Sequence, residues 1–272
     1  MPELPEVETI VAGLRPLVGG RCISDTEIHW SGSVGGMDPA VFRDRLVGQC
    51  IARMTRRGKF ILLYLDGGDV LLVHLRMTGR LLLRPREAEA DPYTRVIIGL
   101  EGNEELRLAD LRKFARLVVV SQGEEEAVLA KLGPEPLSED FTVEHLANSL
   151  GKRKAPIKTL LLDQTVLAGL GNIYADEALY LAGLHPLRRA DSLSVEEWQR
   201  LHEAIRRTLE EGIRNRGTTF SQYRDGEGRP GGHQHCLNVY RRTGEACPRC
   251  GGPIERLVIG GRSSHFCPRC QV

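Results

Sequence analysis

Cys247-Pro248-Arg249-Cys250, then sixteen residues, then Cys267-Pro268-Arg269-Cys270 stand near the end of the sequence. Two Cys-x2-Cys pairs at this separation are typical of two knuckles on a β-hairpin, which together supply four thiolates to one tetrahedral zinc ion. Four cysteine ligands leave no open coordination position, so the expected ion is structural, and its binding would fold this short segment. The sequence therefore predicts a zinc finger over residues 236–272.

Two disulfides are the alternative use of the same four thiols. The other cysteines, Cys22, Cys50 and Cys236, are scattered, a pattern unlike a disulfide framework. The first residues lack the basic-then-apolar order of a signal peptide, and no apolar run approaches the ~20 residues of a membrane span. We therefore expect zinc rather than disulfides, and a cytoplasmic protein without a membrane segment.

The first half of the chain reads as one helix followed by a β-rich domain. With 272 residues, of which 41% are hydrophobic, the chain can bury two cores. Apolar residues at helical spacing predict a helix from Pro5 to Val18. Eight short β-rich stretches follow between residues 22 and 120, which is typical of a sandwich or barrel. Gly133-Pro134-Glu135-Pro136 ends that pattern, so a domain boundary is expected near residue 135.

The second half is mostly helical in pattern. A capping box at Ser194 and Glu197 opens a long helix that should end near Arg214. The stretch from Gly217 to Gly232 is rich in glycine and polar residues, and a loop of that length in a compact domain is usually functional. The sequence thus predicts an α+β protein with three parts: 1–134, a β-sandwich with a leading helix; 135–235, a helical domain that includes the loop at about 217–232; and 236–272, the zinc finger.

Charge is nearly balanced overall but unevenly distributed. The formal net charge is +1, while a run between Arg53 and Lys59 holds four basic residues and no carboxylate. From Cys236 onward, arginines outnumber acidic residues. A basic face on a near-neutral protein can bind a polyanion in a salt-dependent manner, whereas ordinary solvated surface is the other interpretation.

The first residues, Met1-Pro2-Glu3-Leu4-Pro5-Glu6, offer a candidate nucleophile. Removal of the initiator methionine would leave Pro2 with a secondary amine, which attacks an aldehyde-like carbon to give a permanently charged iminium. Glu3 is then a candidate proton donor or base. The same residues are also an ordinary helix start, since proline and acidic side chains are favoured in a first turn.

Seven blocks of sequence, in order along nearly the whole chain, resemble the bacterial formamidopyrimidine-DNA glycosylase family. They are Met1-Pro2-Glu3-Leu4-Pro5-Glu6-Val7-Glu8-Thr9, Arg56-Arg57-Gly58-Lys59-Phe60, His74-Leu75-Arg76-Met77-Thr78-Gly79, Asp110-Leu111-Arg112-Lys113-Phe114, Leu132-Gly133-Pro134-Glu135-Pro136-Leu137, Gly169-Leu170-Gly171-Asn172-Ile173-Tyr174, and the zinc segment ending Cys267-Pro268-Arg269-Cys270-Gln271. The resemblance implies a helix-two-turn-helix domain in the second half and a base-excision-repair enzyme. Such an enzyme removes 8-oxoguanine or formamidopyrimidine turned out of duplex DNA and then nicks the strand.

The resemblance also implies catalytic roles. Pro2 would attack C1′ of the damaged nucleoside, and Glu3 would handle protons near the sugar oxygen. Lys59 matches the lysine of β-elimination and Arg262 the arginine of δ-elimination. Both cations would also hold phosphates, because a cation beside a leaving phosphate stabilises its developing charge.

Further residues would contact DNA by the same resemblance. Met77, Arg112 and Phe114 match the trio that fills the hole left by the extruded base: an apolar probe, a guanidinium facing the orphaned cytosine, and an aromatic wedge. Tyr93 stands where the family commonly has a histidine and would offer its hydroxyl. The other expected DNA contacts are Lys59, His74, Arg153, Asn172 and Arg262. The loop from Gly217 to Gly232 resembles the cap that closes on the damaged purine.

Two other functions share many of these features. Endonuclease VIII-type enzymes use the same scaffold for oxidised pyrimidines but usually begin Pro-Glu-Gly-Pro-Glu, whereas Leu4 stands at the third of those positions here. A non-catalytic, zinc-dependent protein that binds damaged duplex is the second alternative. In each case the expected partner is double-stranded DNA, bound by a monomer that carries one structural zinc ion.

Overall fold

The computed structural model describes residues 1–272, and the chain forms two compact units. The first contains Met1–Ala130 and Asn215–Gln234, and the second contains Lys131–Arg214 and His235–Val272. The segment after the last long helix thus belongs to the first unit, whereas the domain limits expected from the sequence place it with the helices. The expected domain limits are 1–134, 135–235 and 236–272. They differ from the two units in the placement of this segment, and they stay a prediction.

Eight strands build a β-sandwich in the first unit. In chain order they are β1 (Ile23–Ile28), β2 (Ile51–Arg57), β3 (Phe60–Leu65), β4 (Asp69–His74), β5 (Gly79–Pro85), β6 (Thr94–Leu100), β7 (Glu104–Asp110) and β8 (Arg116–Ser121). They pair antiparallel in two sheets, with the orders β1-β6-β7-β5 and β2-β3-β4-β8. Alternating apolar residues of both sheets share one buried core. The predicted sandwich is confirmed.

Helix α1 (Leu4–Val18) precedes the first strand, as predicted. Glu3 is its N-cap residue, and the Glu6 carboxylate accepts a hydrogen bond of 2.7 Å from the Glu3 backbone N–H, as in a capping box. Pro5 stands in the first turn, where its missing N–H costs nothing. The apolar face of α1 is fully buried in the core of the sandwich.

Two short helices of the first unit are absent from the sequence prediction. They are α2 (Pro39–Leu46) and α3 (Glu124–Leu129). The Asp38 carboxylate caps α2 by accepting a hydrogen bond from the Ala40 N–H at 2.8 Å. Asp38-Pro39 is a usable helix-start signal, and it was missed because only two of the eight residues of α2 are buried.

Cys22 and Cys50 form a disulfide. They face each other across an isolated antiparallel bridge just before β1 and β2. The interpretation of these two as scattered cysteines outside any disulfide framework is wrong for this pair, because strand pairing brings together two residues that lie 28 positions apart. Spacing along the sequence does not reveal such a pairing.

Four helices and a hairpin build the second unit. They are α4 (Val143–Leu150), α5 (Ile157–Leu161), α6 (Asn172–Ala182), α7 (Val195–Arg214), β9 (Glu255–Ile259) and β10 (Arg262–Phe266). The capping box that opens α7 is present, since the Ser194 N–H donates to Glu197 Oε2 at 2.8 Å. Helix α6 packs against both α7 and β10. No helix of the protein is long and apolar enough to cross a membrane.

Candidate active site and zinc centre

The four cysteines of the finger converge on one point. Their Sγ atoms all lie within 4.8 Å of one another, with 3.8 Å between Cys247 and Cys270 and 3.5 Å between Cys250 and Cys267. Four sulfurs at ~2.3 Å from a tetrahedral zinc ion stand ~3.8 Å apart, so the cluster fits zinc. The ion would be structural, because all four positions are filled by protein ligands. The predicted set of ligands is confirmed.

Pro2 and Glu3 lie at a buried point where α1 begins. Glu3 is only 3% exposed, Pro2 is also buried, and Met1 before them is 44% exposed. The hydrogen bond from the Glu3 N–H to Glu6 fixes the backbone directly after Pro2. The two predicted catalytic residues are therefore held on an ordered, desolvated stretch of backbone. Removal of Met1 would free the amine of Pro2 at this point.

Glu6 also binds the long loop of the first unit. Its second carboxylate oxygen accepts a hydrogen bond of 2.7 Å from the Thr218 N–H. Gly217 has a φ of +78°, and a Cβ at this position would lie 2.9 Å from the Glu6 Cγ, so only glycine fits here. Glu6 thus joins the start of α1 to the loop that was predicted to cap the damaged purine. This role was not predicted, and the acidic N3 position of the capping box is the signal in the sequence that indicates it.

Lys59 stands in the tight turn between β2 and β3. Gly58 before it has a φ of +55°, and Lys59 itself is 6% exposed. Arg56 supports the turn, because its guanidinium donates to Glu8 Oε2 at 2.8 Å and to the Gly58 carbonyl at 3.0 Å. Lys59 therefore lies in a hairpin turn that hydrogen bonds of Arg56 stabilise, and not on a solvated strand.

His74 ends β4, in register with Phe60 and so next to Lys59. Burial lowers the pKa of His74 to about 4, and the nearby charges of Arg76 and Lys59 act in the same direction. Nδ1 of His74 accepts a hydrogen bond of 3.0 Å from the Arg76 N–H. The ring is thus neutral near pH 7 and carries its proton on Nε2, which makes it an uncharged donor suited to a phosphate oxygen.

The predicted wedge residues project from two loops of the sandwich. Met77 is 43% exposed and Phe114 is 45% exposed, although large apolar side chains are usually buried. The Arg112 guanidinium carbon lies 4.7 Å from the centre of the Phe114 ring. Strand β8 begins at Arg116, two residues after Phe114, which leaves the Phe114 ring on the exposed loop. Tyr93 lies just before β6 with a φ of +66° and is 52% exposed.

Asn172 contacts the backbone next to Arg262 in the second unit. Asn172 begins α6 and donates through Nδ2 to the Ser263 carbonyl at 2.9 Å, while Arg262 is the exposed residue directly before Ser263. Lys158 donates to the same carbonyl at 2.8 Å. Arg153 stands apart from this group, half-exposed and 4.0 Å from Asp163.

A buried ionic cluster that was not predicted lies next to this group. Lys158 is fully buried and lies 2.6 Å from Asp176, which also accepts a hydrogen bond of 2.9 Å from the His265 N–H. A buried ammonium and carboxylate must be paired, so the cluster ties α5 and α6 firmly to β10. Local sequence carries no signal for it, because Asp176 and His265 are 89 residues apart.

Pro2 is buried where α1 leads into the β-sandwich, and the second unit combines helices with a four-cysteine finger that exposes Arg262. This combination defines the class of zinc-finger DNA glycosylases. The formamidopyrimidine-DNA glycosylase N-terminal domain model matches residues 1–117, the formamidopyrimidine-DNA glycosylase H2TH domain model matches 132–224, and the zinc finger found in FPG and IleRS matches 244–272. The formamidopyrimidine-DNA glycosylase of Heliobacterium modesticaldum is 49% identical, with all of both chains covered. The chain belongs to the formamidopyrimidine-DNA glycosylase family, whose members are DNA glycosylases and abasic-site lyases.

Solved structures agree with this assignment. Lactococcus lactis Fpg in complex with abasic-site DNA superposes with a TM-score of 0.94 at 35% identity, and 99% of each chain is covered. The wild-type enzyme from the same organism in complex with DNA containing N7-benzyl-Fapy-dG gives a TM-score of 0.93 at 35% identity, again over 99% of each chain. The predicted sandwich, helix-two-turn-helix domain and zinc-finger hairpin are confirmed.

Proposed function

We propose that this chain excises 8-oxoguanine and formamidopyrimidines from duplex DNA and then cuts the strand at the abasic site. The observation that carries the proposal is the buried Pro2-Glu3 backbone, which Glu6 holds beside the capping loop. The L. lactis complexes, with abasic and Fapy-type DNA, support the same class of substrate. The damaged nucleotide is turned out of the duplex, because its reacting atoms are inaccessible in the stack.

Pro2 is the proposed nucleophile once Met1 has been removed. Its nitrogen forms a bond to C1′ while the glycosidic bond breaks, and the base leaves with the bonding electrons and takes up a proton. Glu3 then gives a proton to the ring oxygen as the sugar opens, which leaves an iminium between Pro2 and C1′. The iminium acidifies the C2′ hydrogen, so a proton is lost there and the 3′ phosphate departs. A second elimination releases the 5′ phosphate.

The cations and neutral donors of the site are proposed to hold the DNA backbone. Lys59 assists β-elimination and Arg262 assists δ-elimination, each by stabilising the charge on a departing phosphate. His74, Asn172 and Arg153 are proposed to contact further phosphates, which position the duplex without reading its sequence.

The exposed loops are proposed to occupy the hole in the duplex. Met77 takes the place of the extruded base, Arg112 faces the orphaned cytosine, and Phe114 wedges between neighbouring bases. Tyr93, beside these loops, is proposed to donate its hydroxyl to the DNA. We place the protein in the cytoplasm, at the nucleoid, where it acts as a monomer.

Borohydride trapping tests the proposal. Reduction of the iminium would give a covalent complex with 8-oxoguanine DNA, and Pro2→Gly would lower its yield at least about 100-fold because the secondary amine is lost. A duplex with an oxidised pyrimidine is the matched control, and preferential excision from it would assign the endonuclease VIII activity instead. Tight binding without trapping would leave only a damaged-DNA binder.

A further inference from the structure

Asp110 lies at the root of both loops that carry the exposed wedge residues. It is the last residue of β7, it pairs with Gly79 at the start of β5, and it is 1% exposed. Met77 and Thr78 come directly before β5, and the loop from Leu111 to Phe114 follows Asp110. The two loops therefore diverge from a single pair of residues in the sheet.

The Asp110 carboxylate binds both loops at once. Oδ1 accepts hydrogen bonds from the Thr78 hydroxyl at 2.5 Å and from the Arg112 N–H at 3.1 Å. Oδ2 accepts from the Phe114 N–H at 2.6 Å and from the Ala115 N–H at 2.7 Å. The Thr78 hydroxyl in turn accepts from the Arg112 N–H at 3.2 Å. A buried carboxylate that accepts from four donors holds its partners strongly.

Close packing reinforces this link. A Cβ on Gly79 would lie 3.0 Å from the Ala115 side chain and would clash with the Leu75 carbonyl, so no larger residue fits between the loops. Ala115 is itself fully buried. Movement of one loop would thus displace the other, because neither the hydrogen bonds nor the packing leave room for independent motion.

We propose that Asp110, through the Thr78 hydroxyl, is a positioning residue that makes Met77, Arg112 and Phe114 insert into DNA as one unit. It thereby sets the preference for cytosine opposite the lesion, since Arg112 reads that base only while Met77 occupies the hole. Asp110 itself touches no DNA. The inference rests on the proposed function and goes beyond it, because it names what determines specificity toward the opposite base.

Thr78 offers a matched pair of variants. Thr78→Val keeps the shape and removes the hydroxyl, whereas Thr78→Ser keeps the hydroxyl. The first readout uses a duplex in which the orphaned base lies opposite a tetrahydrofuran abasic analogue, with 2-aminopurine placed beside the orphaned base. The fluorescence of 2-aminopurine rises when the wedge unstacks it. The second is the ratio of 8-oxoguanine excision opposite cytosine to excision opposite adenine.

We expect Thr78→Val to lower the fluorescence rise and to reduce the cytosine-to-adenine ratio about tenfold, near the lower value of one base-specific contact. Thr78→Ser should restore both. Asp110→Asn should also lower both values, because the amide NH2 that replaces one carboxylate oxygen cannot accept the pair of hydrogen bonds that this oxygen receives, either from Thr78 and Arg112 or from Phe114 and Ala115. It also serves as the test if Thr78→Val does not fold. Melting temperatures identify variants that lose only stability.

The inference is overturned if Thr78→Val keeps both wild-type values, if Thr78→Ser falls as far as Thr78→Val, or if the wild type shows no preference for cytosine. Borohydride trapping at a preformed abasic site separates this failure from failure of the proposed function. A wild type that traps and excises while Thr78→Val matches it contradicts only the coupling. A wild type that neither traps nor excises contradicts the proposed function.

Discussion

The Glu6 carboxylate accepts a hydrogen bond of 2.7 Å from the backbone N–H of Thr218, which lies 212 residues later in the chain. The other oxygen of the same carboxylate accepts from the Glu3 N–H. One side chain therefore holds both the backbone after the proposed nucleophile and the loop proposed to cover the damaged base. A shift of either segment should displace the other, because the Glu6 carboxylate cannot keep both hydrogen bonds if its position changes.

Glu6→Gln should lower the free energy of unfolding by about 1–3 kcal/mol, because an amide NH2 would replace one of two buried acceptors. Excision of 8-oxoguanine should fall more than cleavage of a preformed abasic site, since only the former needs the loop closed on a base. Urea denaturation and single-turnover kinetics measure the two effects. Glu126→Gln, the same change at an exposed site, is the control. Equal losses in both reactions would contradict a role in loop closure.

His74 should make the protein less stable in acid. Its pKa is about 4 in the folded state and ~6.5 in the unfolded chain, so the unfolded state binds more protons between these values. Stability from this residue is therefore complete above pH 6.5 and is lost as the pH falls toward 4. His74→Gln should gain up to about 2 kcal/mol relative to wild type between pH 7 and 5. The comparison uses urea midpoints, with His29→Gln at an exposed site as control; parallel pH profiles of wild type and His74→Gln would refute it.

Removal of zinc should abolish DNA binding by unfolding the finger. Cys250→Ser deletes one of four thiolates, and structural zinc contributes ~10 kcal/mol or more to such a segment. The zinc content should fall from one ion per chain toward none, and affinity for abasic-site DNA should fall with it. Cys236→Ser, at an exposed thiol outside the cluster, should keep both. Full binding by zinc-free Cys250→Ser would exclude a structural role for the metal.

Arg262→Ala should separate the two eliminations. Without the guanidinium, the 3′ phosphate should still leave, while the 5′ phosphate should remain attached to the sugar remnant. The product of β-elimination would then accumulate on a denaturing gel. Lys59→Met should instead slow the first elimination by ~10²–10³-fold, because the cation that stabilises the departing phosphate is lost. Arg207→Ala, on the exposed face of α7, is the control, and unchanged products from Arg262→Ala would remove that residue from the mechanism.

Local patterns predicted much of this fold. The Cys-x2-Cys spacing indicated the finger, short β-rich stretches between turn residues indicated the eight strands, and the Ser194–Glu197 capping box indicated the start of α7. These features depend on residues within a few positions of one another, so the sequence alone carries their signal. Helix α2 was missed because a mostly exposed helix has a weak apolar period.

Long-range pairings could not be read in this way. The sheet order β1-β6-β7-β5, the Cys22–Cys50 bridge and the Glu6–Thr218 hydrogen bond each join segments that are distant in sequence. The hydrogen bonds of Asp110 to both loops were not predicted for a related reason. An aspartate at the end of a strand indicates only a turn until the loop that it binds is known. The family resemblance supplied the site residues that local chemistry could not distinguish, such as Met77 and Phe114.

The central claim is that the Pro2 nitrogen forms the covalent bond to the sugar. Mass spectrometry of peptides from the borohydride-trapped complex with 8-oxoguanine DNA tests it directly. The account predicts a chain that lacks Met1 and carries the reduced sugar remnant on the peptide that begins with Pro2. A remnant on Lys59, or excision at full rate by protein that retains Met1, would contradict it.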